Sequence, residues 1–231
     1  GADPVASWLL DDRANHEAPT PLDRLVKLAE LTITPRRSAE FYHRAGLALR
    51  NGGATDEEVL QYWLLGVERD PTLEALGDDV IDLLTARGDI EHVTTLLTQR
   101  LHRLDSAESR LPVLRELVRV VAGTSDSESF LESTLEEILV HEPRDCRAHI
   151  GMAHLKLEGG RISEAGRHFE LVTQLSDDDG ELVDAFTSLG ALKGQRLGDY
   201  AGAIEEFRKA VALDGSEPAL DGLADAYLAA E

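Results

Sequence analysis

"GDYAGAIEEFRKAVALD", residues 198–214, runs from a glycine into one helical stretch with a narrow apolar face. Ala203, Phe207 and Ala210 fall at i, i+4 and i+7 and share that face. Two of the three are alanines, so this backbone can come close to a neighbour's. A lone ring between small side chains suits a helix crossing: the small residues permit close approach, and the ring fills the space beside them.

The pattern recurs. Glycines close helical stretches at 53, 88, 123, 160 and 198, spaced by 35, 35, 37 and 38 residues. Pro35, Pro71 and Pro143 form a second series, separated by 36 and by twice 36, each after an apolar-periodic run where a helix is expected to stop. After Gly160 come Ala165, Phe169 and Val172, at the offsets of the opening stretch. After Gly88 come Val93 and Leu97, with Arg100 at the third position. After Gly53 a one-residue insertion gives Val59, Trp63 and Gly66. The Gly123 unit has a longer loop, GTSDSES, which moves its helix back to Leu131, Leu135 and Ile138. Another amphipathic helix precedes each glycine, at 39–53, 73–88, 147–160 and 182–198, and 217–231 opens one more. Each unit is helix, turn, helix, and its neighbours complete its core.

This pattern resembles the tetratricopeptide repeat (TPR). The residues that carry the likeness are Gly198, Asp199 and Tyr200 followed by Ala203, Phe207 and Ala210; Gly160 with Ala165 and Phe169; and the run LADAY at 223–227. The pairs Ala45–Gly46, Met152–Ala153 and Leu189–Gly190 match the family's large–small pair in part. The resemblance spans about residues 38–231, strongest in the last three units and weakest in the third. It implies an all-α fold, a right-handed superhelical array of antiparallel helix pairs forming an α-solenoid. The units are expected near 38–71, 72–106, 107–143, 144–179 and 180–215, with a half unit at 216–231. Gly215 stands where the family places a closing proline, and the second unit has no proline near 105.

Residues 1–37 are expected to form a divergent leading helix pair. Its first helix has Asp3 as cap, Pro4 in the first turn and Val5, Trp8 and Leu9 on one face. Its second is capped by Thr20, begins at Pro21, carries the stripe Leu22, Leu25, Val26 and Ala29, and ends at Pro35. At the other end, the apolar residues of 217–231 spread around much of the helix, an expectation that further repeat follows.

Composition narrows the function. The 231 residues carry 23 basic and 44 acidic side chains, a net charge of −21, with 42% hydrophobic residues. Such a surface repels a phosphate backbone or an anionic membrane unless it holds a basic patch, and the sequence shows none. No apolar run approaches the roughly 20 residues of a bilayer span. The opening GADPVASWLL lacks the pattern of a signal peptide. Cys146 is the only cysteine, which suits a reducing compartment, the cytoplasm by default. Arginine outnumbers lysine 19 to 4 and alanine is abundant, the bias of a GC-rich bacterial source.

Catalytic, cofactor and metal chemistry have no motif. Cys146, His149, His154 and His168 lack the regular four-ligand spacing of a zinc site. SDDDGELVD (176–184) fails as a calcium loop, because Leu175 and Phe186 occupy ligand positions, and reads instead as an acidic inter-repeat turn. Phosphate-loop, dinucleotide and nucleophile-elbow motifs are absent.

The resemblance implies that first helices line a concave, noncatalytic surface for peptides or proteins. Aligned on the glycines, its inward positions are Glu40, His43 and Arg50, then Asp78 and Asp82, then Arg147 and His154, then Asp184, Asp221 and Asp225. Six carboxylates against two arginines make the groove acidic, so the expected partner has basic character and is steered by charge. The family's clamp for acidic peptide tails relies on lysines and asparagines, which are scarce here. The alternatives are self-association through the terminal helices, or a regulatory domain of a larger enzyme.

Overall fold

The computed structural model describes residues 20–122 and 128–230. Among these the chain is helical without strands, and it divides into two compact units at Val120–Val121. The first unit holds α1 (Pro21–Leu31), α2 (Pro35–Asn51), α3 (Asp56–Arg69), α4 (Glu74–Ala86), α5 (Ile90–Leu101) and α6 (Ala107–Val121). The second holds α7 (Glu128–His141), α8 (Cys146–Glu158), α9 (Ile162–Leu175), α10 (Asp179–Ala191), α11 (Tyr200–Leu213) and α12 (Glu217–Ala229). The first helix of the expected leading pair lies outside the described residues.

Helix starts follow from caps. Thr20 and Thr55 accept the N–H of Asp23 and Glu58, whose carboxylates accept the Thr N–H in return, closing a capping box at each end. Asp89, Asp145, Asp178 and Asp199 cap α5, α8, α10 and α11. Asp178 thus turns the acidic stretch 176–184 into a helix start. Gly53, Gly88, Gly160 and Gly198 sit at φ of 79°, 72°, 71° and 69°, where a side chain would be strained. The spacings of these four glycines in the sequence are the spacings of the turns, and Gly123 lies outside the described residues.

Pro35 departs from expectation. α1 ends at Leu31, and Pro35 is the first residue of α2, which therefore begins four residues before 39. A proline's locked φ and missing N–H suit a first helical position as well as a stop. Pro112 lies inside α6 and cannot donate to the carbonyl of Glu108. The stretch 182–198 is not one regular helix: α10 passes at Leu192–Arg196 into a π-helical turn.

Within each unit, first helices of successive pairs touch, α2 with α4, α8 with α10, and α10 with α12. The repeated apolar positions form the core. Ala203, Phe207 and Ala210 are buried, as are Ala165, Phe169 and Val172 and also Val59 and Trp63. In α7, Leu135 and Ile138 are buried. Small residues meet rings at the crossings: a Cβ on Gly46 would overlap the Trp63 indole, and one on Gly190 would stand 2.9 Å from the Phe207 ring.

Candidate functional site

Three groups of polar side chains gather on the first helices. On α2, His43 Nε2 lies 2.6 Å from Asp79 Oδ2 of α4, and the His43 carbonyl accepts the Trp63 indole N–H at 3.1 Å. The Arg50 guanidinium lies 5.8 Å from the centre of the same indole. Glu40, further up the helix, pairs with Arg36 at 3.8 Å. Trp63 therefore anchors the backbone of α2 at His43 while its ring fills the core beneath the helix.

The second group surrounds a cavity of about 310 Å³ between α4, α5 and α6. Its charged walls are Asp78 and Asp82 of α4, Glu116 of α6 and Arg100 of α5. Ile81, Leu97 and Val113 supply apolar surface, and the Pro112 ring adds to it. Arg100 explains the opening. It occupies the crossing position held by Ala210 and Val172 elsewhere, where its guanidinium bonds Asp78 Oδ1 at 3.0 Å and lies 3.6 Å from Glu74. A guanidinium is far larger than a methyl, and α4 and α5 pack more loosely than α2 and α3 or α8 and α9. Arg119 Nε bonds Glu116 at 2.8 Å, which holds the Glu116 carboxyl below its ordinary range. Asp82 is exposed on the rim, where its charge is felt by Arg119.

The third group joins α8 to α10. Arg147 Nε lies 3.5 Å from Glu181, and His154 Nε2 lies 3.6 Å from Asp184. The Asp184 contact raises the His154 pKa above its ordinary value against the effect of burial. The His154 ring meets Phe169 edge-on at 5.2 Å. On α12, Asp221 and Asp225 are exposed, and Asp225 lines a smaller cavity with Tyr200 and Phe207.

Several acidic positions are thus already paired: Glu40 with Arg36, Asp78 with Arg100, and Asp184 with His154. Sequence reasoning missed Glu116 and the cavity it helps to line. Arg100, breaking the small-residue pattern, was the available signal. Cys146 and the histidines form no metal site of three or more ligands among the described residues. His149 Nε2 bonds the Pro143 carbonyl at 3.0 Å, and its Nδ1 faces His168 Nδ1 at 3.0 Å. No described helix is long and apolar enough to cross a membrane.

The helix-pair architecture matches solved structures. The C-terminal part of a TPR repeat-containing protein from Cytophaga hutchinsonii superposes with a TM-score of 0.63 at 15% identity, over 96% of this chain and 95% of that one. This chain has the tetratricopeptide-repeat fold. YrrB, described as a TPR protein with an unusual peptide-binding site, gives 0.60 at 15% identity, over 88% and 98%. MamA from Desulfovibrio magneticus gives 0.57 at 17%, over 78% and 96%. No protein-family model matches this chain, and no curated protein matches it.

Proposed function

We propose that the chain is a noncatalytic interaction module that receives a peptide or protein of basic character on the first helices of its pairs. The cavity between α4, α5 and α6 carries the reading. Three carboxylates, Asp78, Asp82 and Glu116, stand over apolar surface in a space large enough for a side chain. An incoming lysine or arginine lays its stem on Ile81 and Val113 and sets its charge against Asp82, sharing Asp78 with Arg100. Glu40, His43 and Arg50 on α2, Arg147 and His154 on α8, Asp184 on α10 and Asp221 and Asp225 on α12 are the further contact positions. The net charge of −21 adds steering toward a cation and away from nucleic acid. A peptide-binding site in YrrB supplies a precedent on the same fold.

The test uses two fluorescent dodecapeptides of matched apolar content, one with arginines and one with glutamates. Anisotropy should detect the basic peptide, and Asp78→Asn with Asp82→Asn should weaken it about tenfold. Equal binding of the acidic peptide, unchanged in the double variant, would overturn the reading.

A second reading, self-association, is favoured by α12, where Leu220, Tyr227 and Leu228 are 46%, 49% and 72% exposed. Light scattering decides it: a concentration-dependent mass abolished by Leu220→Glu with Leu228→Glu supports assembly, and a constant monomer mass rejects it.

A further inference from the structure

We propose a second ligand site, in the second unit, where a cavity of about 220 Å³ between the π-helical turn, α11 and α12 takes a cation on an apolar stem, the chemistry of an alkylguanidinium. The site begins with one extra residue. Gly46 stands seven residues before Gly53, whereas its counterpart Gly190 stands eight before Gly198. Both glycines meet the ring of the following helix, so the insertion falls between them and the turn. The chain absorbs it by widening: the Leu197 N–H reaches back to the Leu192 carbonyl, and the Asp199 N–H to that of Lys193 at 2.9 Å. Widened turns of this kind are frequent at functional sites.

The cavity lies beside this turn, which packs closely on Ala203 through Gly194. Gly194 contributes only backbone there, Tyr200 stands 37% exposed as one wall, and Ala229 of α12 is small. Gln195 adds an amide, and Asp225 is the only charged group in the lining. Of the nearby cations, the two lysines are already engaged, and Arg196 is not among the lining residues. Lys193 and Lys209 hold the two oxygens of buried Glu206 at 2.7 and 2.9 Å. Asp225 itself has no hydrogen bond or ion pair among the described residues. Residues 177–231 carry 13 acidic against 4 basic side chains, so the local field attracts a cation. An anion would be repelled by Asp225, and a neutral ligand would gain nothing from the charge of that exposed carboxylate. A cation satisfies it while its stem lies against the Tyr200 ring and the alanines. This site is independent of the α4–α6 cavity, since different residues report on it.

The full chain is titrated with n-butylguanidinium and, separately, with neutral n-butylurea, and followed by ¹H–¹⁵N NMR. The cation should give saturable shifts concentrated at Gly194, Gln195 and Tyr200 with millimolar affinity, and the urea should give none that saturate. Asp225→Asn should weaken the cation about two- to fivefold. Ala229→Phe, which fills the cavity from its rim and keeps the carboxylate, should abolish binding. Equal response to the urea, unchanged affinity in Asp225→Asn, or shifts confined to Asp78 and Asp82 would overturn the site; the last would leave the α4–α6 reading intact.

Discussion

Gly46 shows how much one hydrogen atom decides. A methyl there would run into the Trp63 indole, a ring held by its own core and by a hydrogen bond to His43. Gly46→Ala should therefore cost roughly 1–3 kcal/mol in urea unfolding. Gly77, in α4, has nothing closer to a built Cβ than an Arg100 nitrogen at 3.8 Å and no positive φ. Gly77→Ala should stabilise by about 0.5–1 kcal/mol through backbone entropy alone. Opposite signs from one substitution type test the packing argument at single-residue resolution. Two histidines make a similar pair. Asp184 raises the His154 pKa, so that contact stabilises fully below the unfolded value of 6.5 and is lost as pH rises through the folded one. Burial first, then the charge of His149, lowers that of His168. Its contribution is present above 6.5 and is lost as pH falls. Histidine NMR titration should find His154 above 6.5 and His168 below it; the reverse order would refute both assignments.

At the scale of elements, α7, α8 and α9 are tied by a charge cluster. Glu132 takes bidentate bonds from Arg161 at 2.9 and 2.7 Å and a further bond from buried Lys156. The Arg161 bonds, then that from Lys156, hold its pKa down to about 2 from 4.5. This stabilisation is complete above 4.5 and drains as pH falls toward 2. Acid unfolding of Glu132→Gln should start from a lower stability and lose less over that range; an unchanged acid limb would show the cluster to be inert. The helix pairs themselves were legible, because the left-handed glycines and the alternation of small residue and ring are local demands written at fixed spacing. The π-turn was not, since one inserted residue between Gly190 and Gly198 reads as a longer helix. Pro35 is ambiguous in the sequence, because a proline marks both a stop and a first turn. The partners of Asp78 and Asp184 lie on other helices, so spacing along one helix could not show them. Arg100 was visible as an exception, but its consequence, a splayed pair and a cavity, belongs to packing.

For the whole molecule, charge is the dominant property that composition alone supplies. A chain of net charge −21 with paired and unpaired carboxylates on its first helices should bind a basic partner in a salt-dependent way. Apolar contact against Ile81, Leu97 and Val113 should leave a residual affinity that salt does not remove. The direct measurement is the affinity of the arginine dodecapeptide for the full chain from about 50 mM to about 1 M salt, where the screening length falls to about 3 Å. The account predicts binding that weakens steadily and levels off above zero, with a shallower slope in the Asp78→Asn, Asp82→Asn variant. Affinity independent of salt, or a slope identical in that variant, would contradict it.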